Sequence, residues 1–238
     1  MPLLTTDDAS IHYEIYGDGF PLLLIAPGGM RSAISYWENM PQNPIVQLAD
    51  AFQVIAMDQR NAGQSTGSVS ADDGWDTYAR DQLALMDHLG LNRFHVAGMC
   101  IGGSYIMGLI AAAPQRVASA VLFQTIGLDN NRQAFYDMFE SWANDLKPDF
   151  PGVDDAAWES FKHNMYDGDF LFTVDRDFVS SCVTPLLVLC GKDLYHPESS
   201  SRAIAELAPN AQFIEHWKEP EYQQAASAAV RKFLLEHS

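Results

Sequence analysis

The chain is 238 residues long, 47% hydrophobic, with a formal net charge of −17 at neutral pH. That length suits one α/β domain with a sizeable core, or one domain carrying an insertion, and the charge argues against nucleic acid and anionic membrane as partners, since both would be repelled at long range. No apolar run reaches the roughly 18 residues of a membrane span, Met1 to Asp8 lack the basic and apolar regions of a secretory leader, and three unevenly spaced cysteines form neither a disulfide framework nor a zinc site, so a reducing cytoplasm is expected.

Ser10 to Tyr16 alternates apolar and polar residues as a strand does, and Gly17-Asp18-Gly19 then supplies a turn. Leu22 to Ala26 is a continuous apolar run, the pattern of a strand buried on both faces, and ends in Pro27-Gly28-Gly29. Ser35 to Ala51 reads as helix and Phe52 to Met57 as the next strand. Asp72 to Leu89 has helical spacing, with Gly90 as its stop. Arg93 to Ala97 is a strand, Gly103 to Ala113 a helix and Ala118 to Phe123 a further strand. Alternating strands and helices predict a mostly parallel sheet covered on both faces.

Between that strand and helix lies Gly98-Met99-Cys100-Ile101-Gly102, a G-x-C-x-G pattern. Glycines two residues on either side of the cysteine permit a sharp turn in which strand and helix backbones pass closely, and such a turn displays the central side chain. The competing reading, that the glycines serve packing and Cys100 is a small core residue, stays open on these five residues alone.

The alternation stops between Leu128 and Cys182, where Phe135, Tyr136, Phe139, Trp142, Trp158, Phe161, Tyr166, Phe170 and Phe172 lie among acidic residues. Short amphipathic helices forming a cap are expected here. The alternation then resumes with strand Pro185 to Leu189, helix Ser199 to Leu207, strand Gln212 to Ile214 and a last helix over 221–236. The division is therefore a core over 1–127, a helical cap over 128–182 and the rest of the core over 183–238.

With these elements in place, the chain resembles the α/β-hydrolases along nearly its whole length. The resemblance implies an eight-stranded, mostly parallel sheet with the cap inserted after the sixth strand, and a nucleophile elbow with cysteine in the serine position. Catalytic groups of parallel sheets gather at the carboxyl ends of strands. Gly191-Lys192-Asp193, after the run Leu186 to Cys190, is similar to the family's acid segment, and His216, after Phe213-Ile214-Glu215, stands where the family places its histidine. The order nucleophile, acid, histidine matches the family. His196, three residues from Asp193, is the rival base and a candidate substrate contact. His216 is preferred, on the ground that a histidine so near the acid lacks freedom to bridge it to the nucleophile.

The resemblance further implies an oxyanion hole from the Ile101 N–H and from the Pro27-Gly28-Gly29-Met30 loop, with Met30 N–H as donor and Gly29 as neighbour. Met99 and Trp142 are further candidate substrate contacts. Asp58-Gln59-Arg60-Asn61-Ala62-Gly63-Gln64-Ser65 is similar to the family's D-x-R-G-x-G-x-S loop, with Asn61 in a glycine position, a replacement that tolerates positive φ. Its expected role is structural.

An imidazole and the positive end of the following helix can draw the thiol toward thiolate. The expected function is hydrolysis of a small ester, lactone or thioester through a Cys100–His216–Asp193 triad and a thioester intermediate, with an elbow similar to that of dienelactone hydrolases. Two alternatives stand beside it: acyl transfer by the same thiol, and a non-catalytic ligand-binding protein of the same fold. No metal or cofactor is expected. The partner is a small acyl substrate, and the oligomeric state is open, a homodimer included.

Overall fold

The computed structural model describes residues 2–40 and 43–238. Strands β1 (Leu3–Thr5), β2 (Ala9–Tyr16), β3 (Phe20–Ile25) and β4 (Phe52–Met57) open the sheet, with helix α1 (Pro44–Leu48) before β4. The two-residue β5 (Thr66–Gly67) precedes helix α2 (Trp75–His88), then β6 (Phe94–Met99), α3 (Ile101–Ala112) and β7 (Val117–Phe123). Helices α4 (Arg132–Leu146), α5 (Asp155–Tyr166) and α6 (Arg176–Ser181) follow without an intervening strand, and β8 (Leu186–Leu189), α7 (Glu198–Leu207), β9 (Ala211–Ile214) and α8 (Pro220–Glu236) complete the chain.

Among the described residues the sheet runs β1-β2-β4-β3-β6-β7-β8-β9, with β5 beside β2. Pairings to β2 are antiparallel and all others parallel. The short β5 accounts for the ninth strand, so the α4–α6 segment follows β7. Every residue of β6 and β7 is buried, as expected of strands covered on both faces. On one face, α2, α3, α7 and the aromatic residues of α4 and α5 share a single apolar cluster; on the other, α1 and α8 pack with Trp37 and Trp217.

The expected helix over 35–51 does not form as one piece. A 3-10 segment covers Ile34–Asn39, residues 41 and 42 of that span lie outside the described residues, and α1 starts afresh at Pro44. Proline lacks the N–H an interior helical position needs but suits a first turn, where the Asn43 side chain accepts from Ile45 N–H at 3.0 Å. Gly90, the expected stop of α2, has φ +70°, the left-handed conformation in which glycine ends helices.

Candidate active site

Three backbones converge where β6 meets α3. A Cβ on Gly98 would lie 3.0 Å from the Gly102 carbonyl carbon and oxygen, and one on Gly102 2.9 Å from the Ile25 carbonyl oxygen of β3. Only glycine permits this approach, and the turn between them forces Cys100 to φ 62°, ψ −119°. A non-glycine residue held there stores of order 1–3 kcal/mol. Cys100→Gly should therefore raise stability by about 1 kcal/mol in urea unfolding, strain relief exceeding the added chain entropy; a loss of stability would show an unstrained turn. Helix α3 begins at Ile101, two residues before the expected start, so its positive end lies directly at the thiol.

The acid and the nearest imidazole both lie in the turn after β8. Asp193 Oδ1 accepts from the backbone N–H groups of Tyr195 and His196, each at 3.1 Å, and from His196 Nδ1 at 2.6 Å. A carboxylate only accepts, so Nδ1 carries the proton and Nε2 is left as the basic nitrogen. A Cβ on Gly191 would lie 2.6 Å from His196 Cβ, so glycine makes room for the imidazole. Nε2 is buried, on the side from which the ring acts on the Cys100 thiol.

Burial pushes the Cys100 thiol up, but hydrogen bonding and charge from His196, with the backbone N–H groups of Ile101 and Gly28, prevail and leave it below its ordinary value. Burial pushes His196 down, and Cys100 and then Asp193 overcome it and raise the imidazole. Burial also pushes Asp193 up, against His196 and the Lys218 charge, which hold it low. The three shifts favour a thiolate beside an imidazolium held by a carboxylate.

His216, the base preferred on sequence grounds, is elsewhere. Its side chain is 48% exposed, stacks on Tyr222 with ring centroids 5.2 Å apart, and lies 4.0 Å from Glu215. Residues 215–219 are all that separate β9 from α8, and in this tight turn Trp217 takes the buried side, donating Nε1–H to the Cys190 carbonyl at 2.8 Å. Burying the indole removes far more apolar area from water than burying an imidazole would. His196 escapes the restriction expected of it for a local reason: the Asx turn at Asp193 bends the chain so that residues i and i+3 meet.

The loop N–H acting on the thiol is that of Gly28. Gly29 (φ +59°) instead passes beneath Met138 of α4, whose sulfur would lie 2.3 Å from a Cβ there, and the Met30 sulfur accepts from the Tyr166 hydroxyl at 3.4 Å. Trp142 is buried among Phe139, Trp158 and Phe161, and its Nε1–H meets the Asn61 carbonyl; it is an interior residue of the α4–α5 pair, not an exposed contact. Met99 ends β6 buried in the cluster facing α8.

The loop after β4 braces this end of the sheet. Asp58 accepts from Ile34 N–H at 2.7 Å, Gln64 N–H at 2.8 Å and His12 Nδ1 at 3.1 Å. Asn61 adopts φ 57° and accepts from Gly67 N–H. Among the described residues no cluster of histidine, cysteine and carboxylate could hold a metal ion, and no helix is long and apolar enough to cross a membrane.

A model of the alpha/beta hydrolase fold family matches residues 21–169. Over 122 residues, 51% of this chain and 43% of the relative, the sequence is 38% identical to the RutD protein of Azorhizobium caulinodans, named for a carbamate hydrolase. It is 31% identical over 115 residues, 48% of the chain and 40% of the relative, to 2-hydroxy-6-oxononadienedioate/2-hydroxy-6-oxononatrienedioate hydrolase 1 of Pseudomonas putida. These matches thus span less than half the length of the relatives. Among solved structures, the enol-lactonase of Burkholderia xenovorans LB400 superposes with a TM-score of 0.72 at 19% identity, covering 98% of this chain and all of that one. The meta-cleavage product hydrolase of Pseudomonas fluorescens IP01, in a mutant form complexed with acetates, gives 0.71 at 21% identity over 97% and 96%; both likenesses concern the fold. The chain belongs to the alpha/beta hydrolase fold family.

Proposed function

We propose that the protein is a cysteine-dependent acyl hydrolase acting on a small ester, lactone or thioester. The observation that carries this reading is the meeting of a strained, partly buried Cys100 with an imidazole whose far nitrogen is bound to Asp193 at 2.6 Å. His196 Nε2 takes the thiol proton and the sulfur attacks the acyl carbon. The carbonyl electrons move to oxygen, which the N–H groups of Ile101 and Gly28 receive. When the carbonyl reforms, the leaving oxygen or sulfur departs with the proton from His196, and a thioester remains on Cys100. A water molecule, giving its proton to His196, attacks the thioester; the acid is released and the proton returns to sulfur.

The elbow's likeness to that of dienelactone hydrolases, and relatives named for carbamate and oxononadienedioate hydrolysis, support an acyl substrate. The test is to mix the protein with an activated acyl ester and follow intact mass together with product release. A transient acyl adduct mapped to Cys100, with turnover abolished in Cys100→Ala, is expected. Turnover that survives in Cys100→Ala would refute the thiol mechanism.

A further inference from the structure

The turn that carries Asp193 and His196 is held from outside by the segment that leads into α4. Asn131, 4% exposed, donates through Nδ2 to the Leu194 carbonyl at 2.6 Å and to the Gly127 carbonyl at 3.0 Å, while its Oδ1 accepts from Asp129 N–H at 2.8 Å. Two carbonyls on one end and an N–H on the other define which end of the amide is nitrogen. Two further contacts run alongside: Ser199 donates to Asp129 Oδ2 at 2.6 Å, and the Phe135 ring of α4 meets Tyr195 edge-on at 5.5 Å. Leu194 and Tyr195 are the two residues between the acid and the imidazole. Leu194 is 60% exposed and Tyr195 36%, so little core packing fixes this turn.

We infer that Asn131 is a positioning residue for the reaction: by clamping the Leu194 carbonyl it fixes the Asp193–His196 turn and so holds the imidazole against the Cys100 thiol. This rests on the Cys100–His196 pair proposed above. The helical segment between β7 and β8 thereby acts on the chemistry through one amide, and not only as a cover. Without the clamp the Asx turn persists but can rotate as a unit, carrying His196 away from Cys100. The thiol then loses the interaction that offsets its burial, and thiolate forms only at higher pH.

Alkylation of Cys100 by iodoacetamide, followed by intact mass across pH, reads this without any substrate. Asn131→Ala should move the alkylation profile up by about one pH unit and slow it about tenfold at pH 7. Asn131→Asp keeps the shape and the Oδ1 acceptor but sets a carboxylate oxygen against the Leu194 carbonyl, and should behave alike even if the alanine variant folds poorly. The matched control is Asn164→Ala: Asn164 Nδ2 ties α5 to the Ala71 and Asp73 carbonyls, each at 2.9 Å, by the same chemistry at a different place. Its profile should stay at the wild-type position. An unchanged profile in folded Asn131→Asp, or an equal shift in Asn164→Ala, would overturn the inference. His196→Ala run in parallel reports on the underlying pair: if it leaves the profile where wild type has it, the coupling of His196 to Cys100 falls, and this role of Asn131 falls with it.

Discussion

His196→Ala should lower turnover of an activated ester by about 10³-fold or more, whereas His216→Ala should leave it within about twofold of wild type. The first figure follows from removing the general base of a nucleophile that is otherwise mostly a neutral thiol. The second follows from the exposed position of His216 on Tyr222. The pH dependence has a definite sign. In wild type, His196 is the largest influence holding the Cys100 thiol low, against burial that pushes it up. Without the imidazole, burial prevails, and the acid limb of Cys100 alkylation should move to higher pH. Steady-state kinetics and alkylation profiles on the two variants decide the matter. A deep loss in His216→Ala with His196→Ala near wild type would reverse the assignment and require the turn after β9 to rearrange on substrate binding.

Arg60→Ala should cost about 3–5 kcal/mol of stability, because it leaves a buried carboxylate without its partner. The guanidinium is 2% exposed and grips Asp81 of α2 through Nε and Nη2, both at 2.8 Å. It also reaches the Asp8 carbonyl at 3.2 Å and the Asp8 carboxylate at 3.1 Å, tying the turn between β1 and β2 to the loop after β4. Asp81 is itself 4% exposed, and its burial pushes its carboxyl upward against the pull of Arg60. The double variant Arg60→Met with Asp81→Leu should recover most of the loss, since an apolar pair of similar volume removes the desolvation penalty together with the attraction. Urea unfolding of the single and double variants checks both statements. A loss below about 1 kcal/mol in Arg60→Ala would mean that water reaches Asp81 and that the pair behaves as a surface bridge.

The apolar runs and alternations placed seven of the nine described strands near their observed positions, most plainly β3, β4 and β6–β8, because residues buried on both faces of a parallel sheet must be continuously apolar; the three-residue β1 was not read. Thr66–Gly67 left no pattern to read, since a two-residue strand spans a single alternation. The elbow was legible for the same local reason: glycines at 98 and 102 are needed wherever a strand and a helix cross at contact distance. The break at Pro44 could also have been read, since proline belongs at the start of a helix and not within one.

The amino-acid sequence by itself determined the layered fold, the sharp strand-to-helix turn at Cys100 and the carboxylate after β8, all consequences of chemistry within a few residues of chain. Tertiary structure decided which histidine meets the thiol, which loop N–H faces it and what holds the turn in place. His216 and His196 both follow strands whose carboxyl ends lie at one edge of the sheet, so position along the chain cannot separate them. The choice came from competition in space: Trp217 filled the buried side of a short turn, and an Asx turn at Asp193, clamped by Asn131, directed His196 inward. The Gly28 N–H acts on Cys100 from a turn through φ 121° and 59° that packs under Met138, more than a hundred residues further along the chain, a contact no local pattern announces.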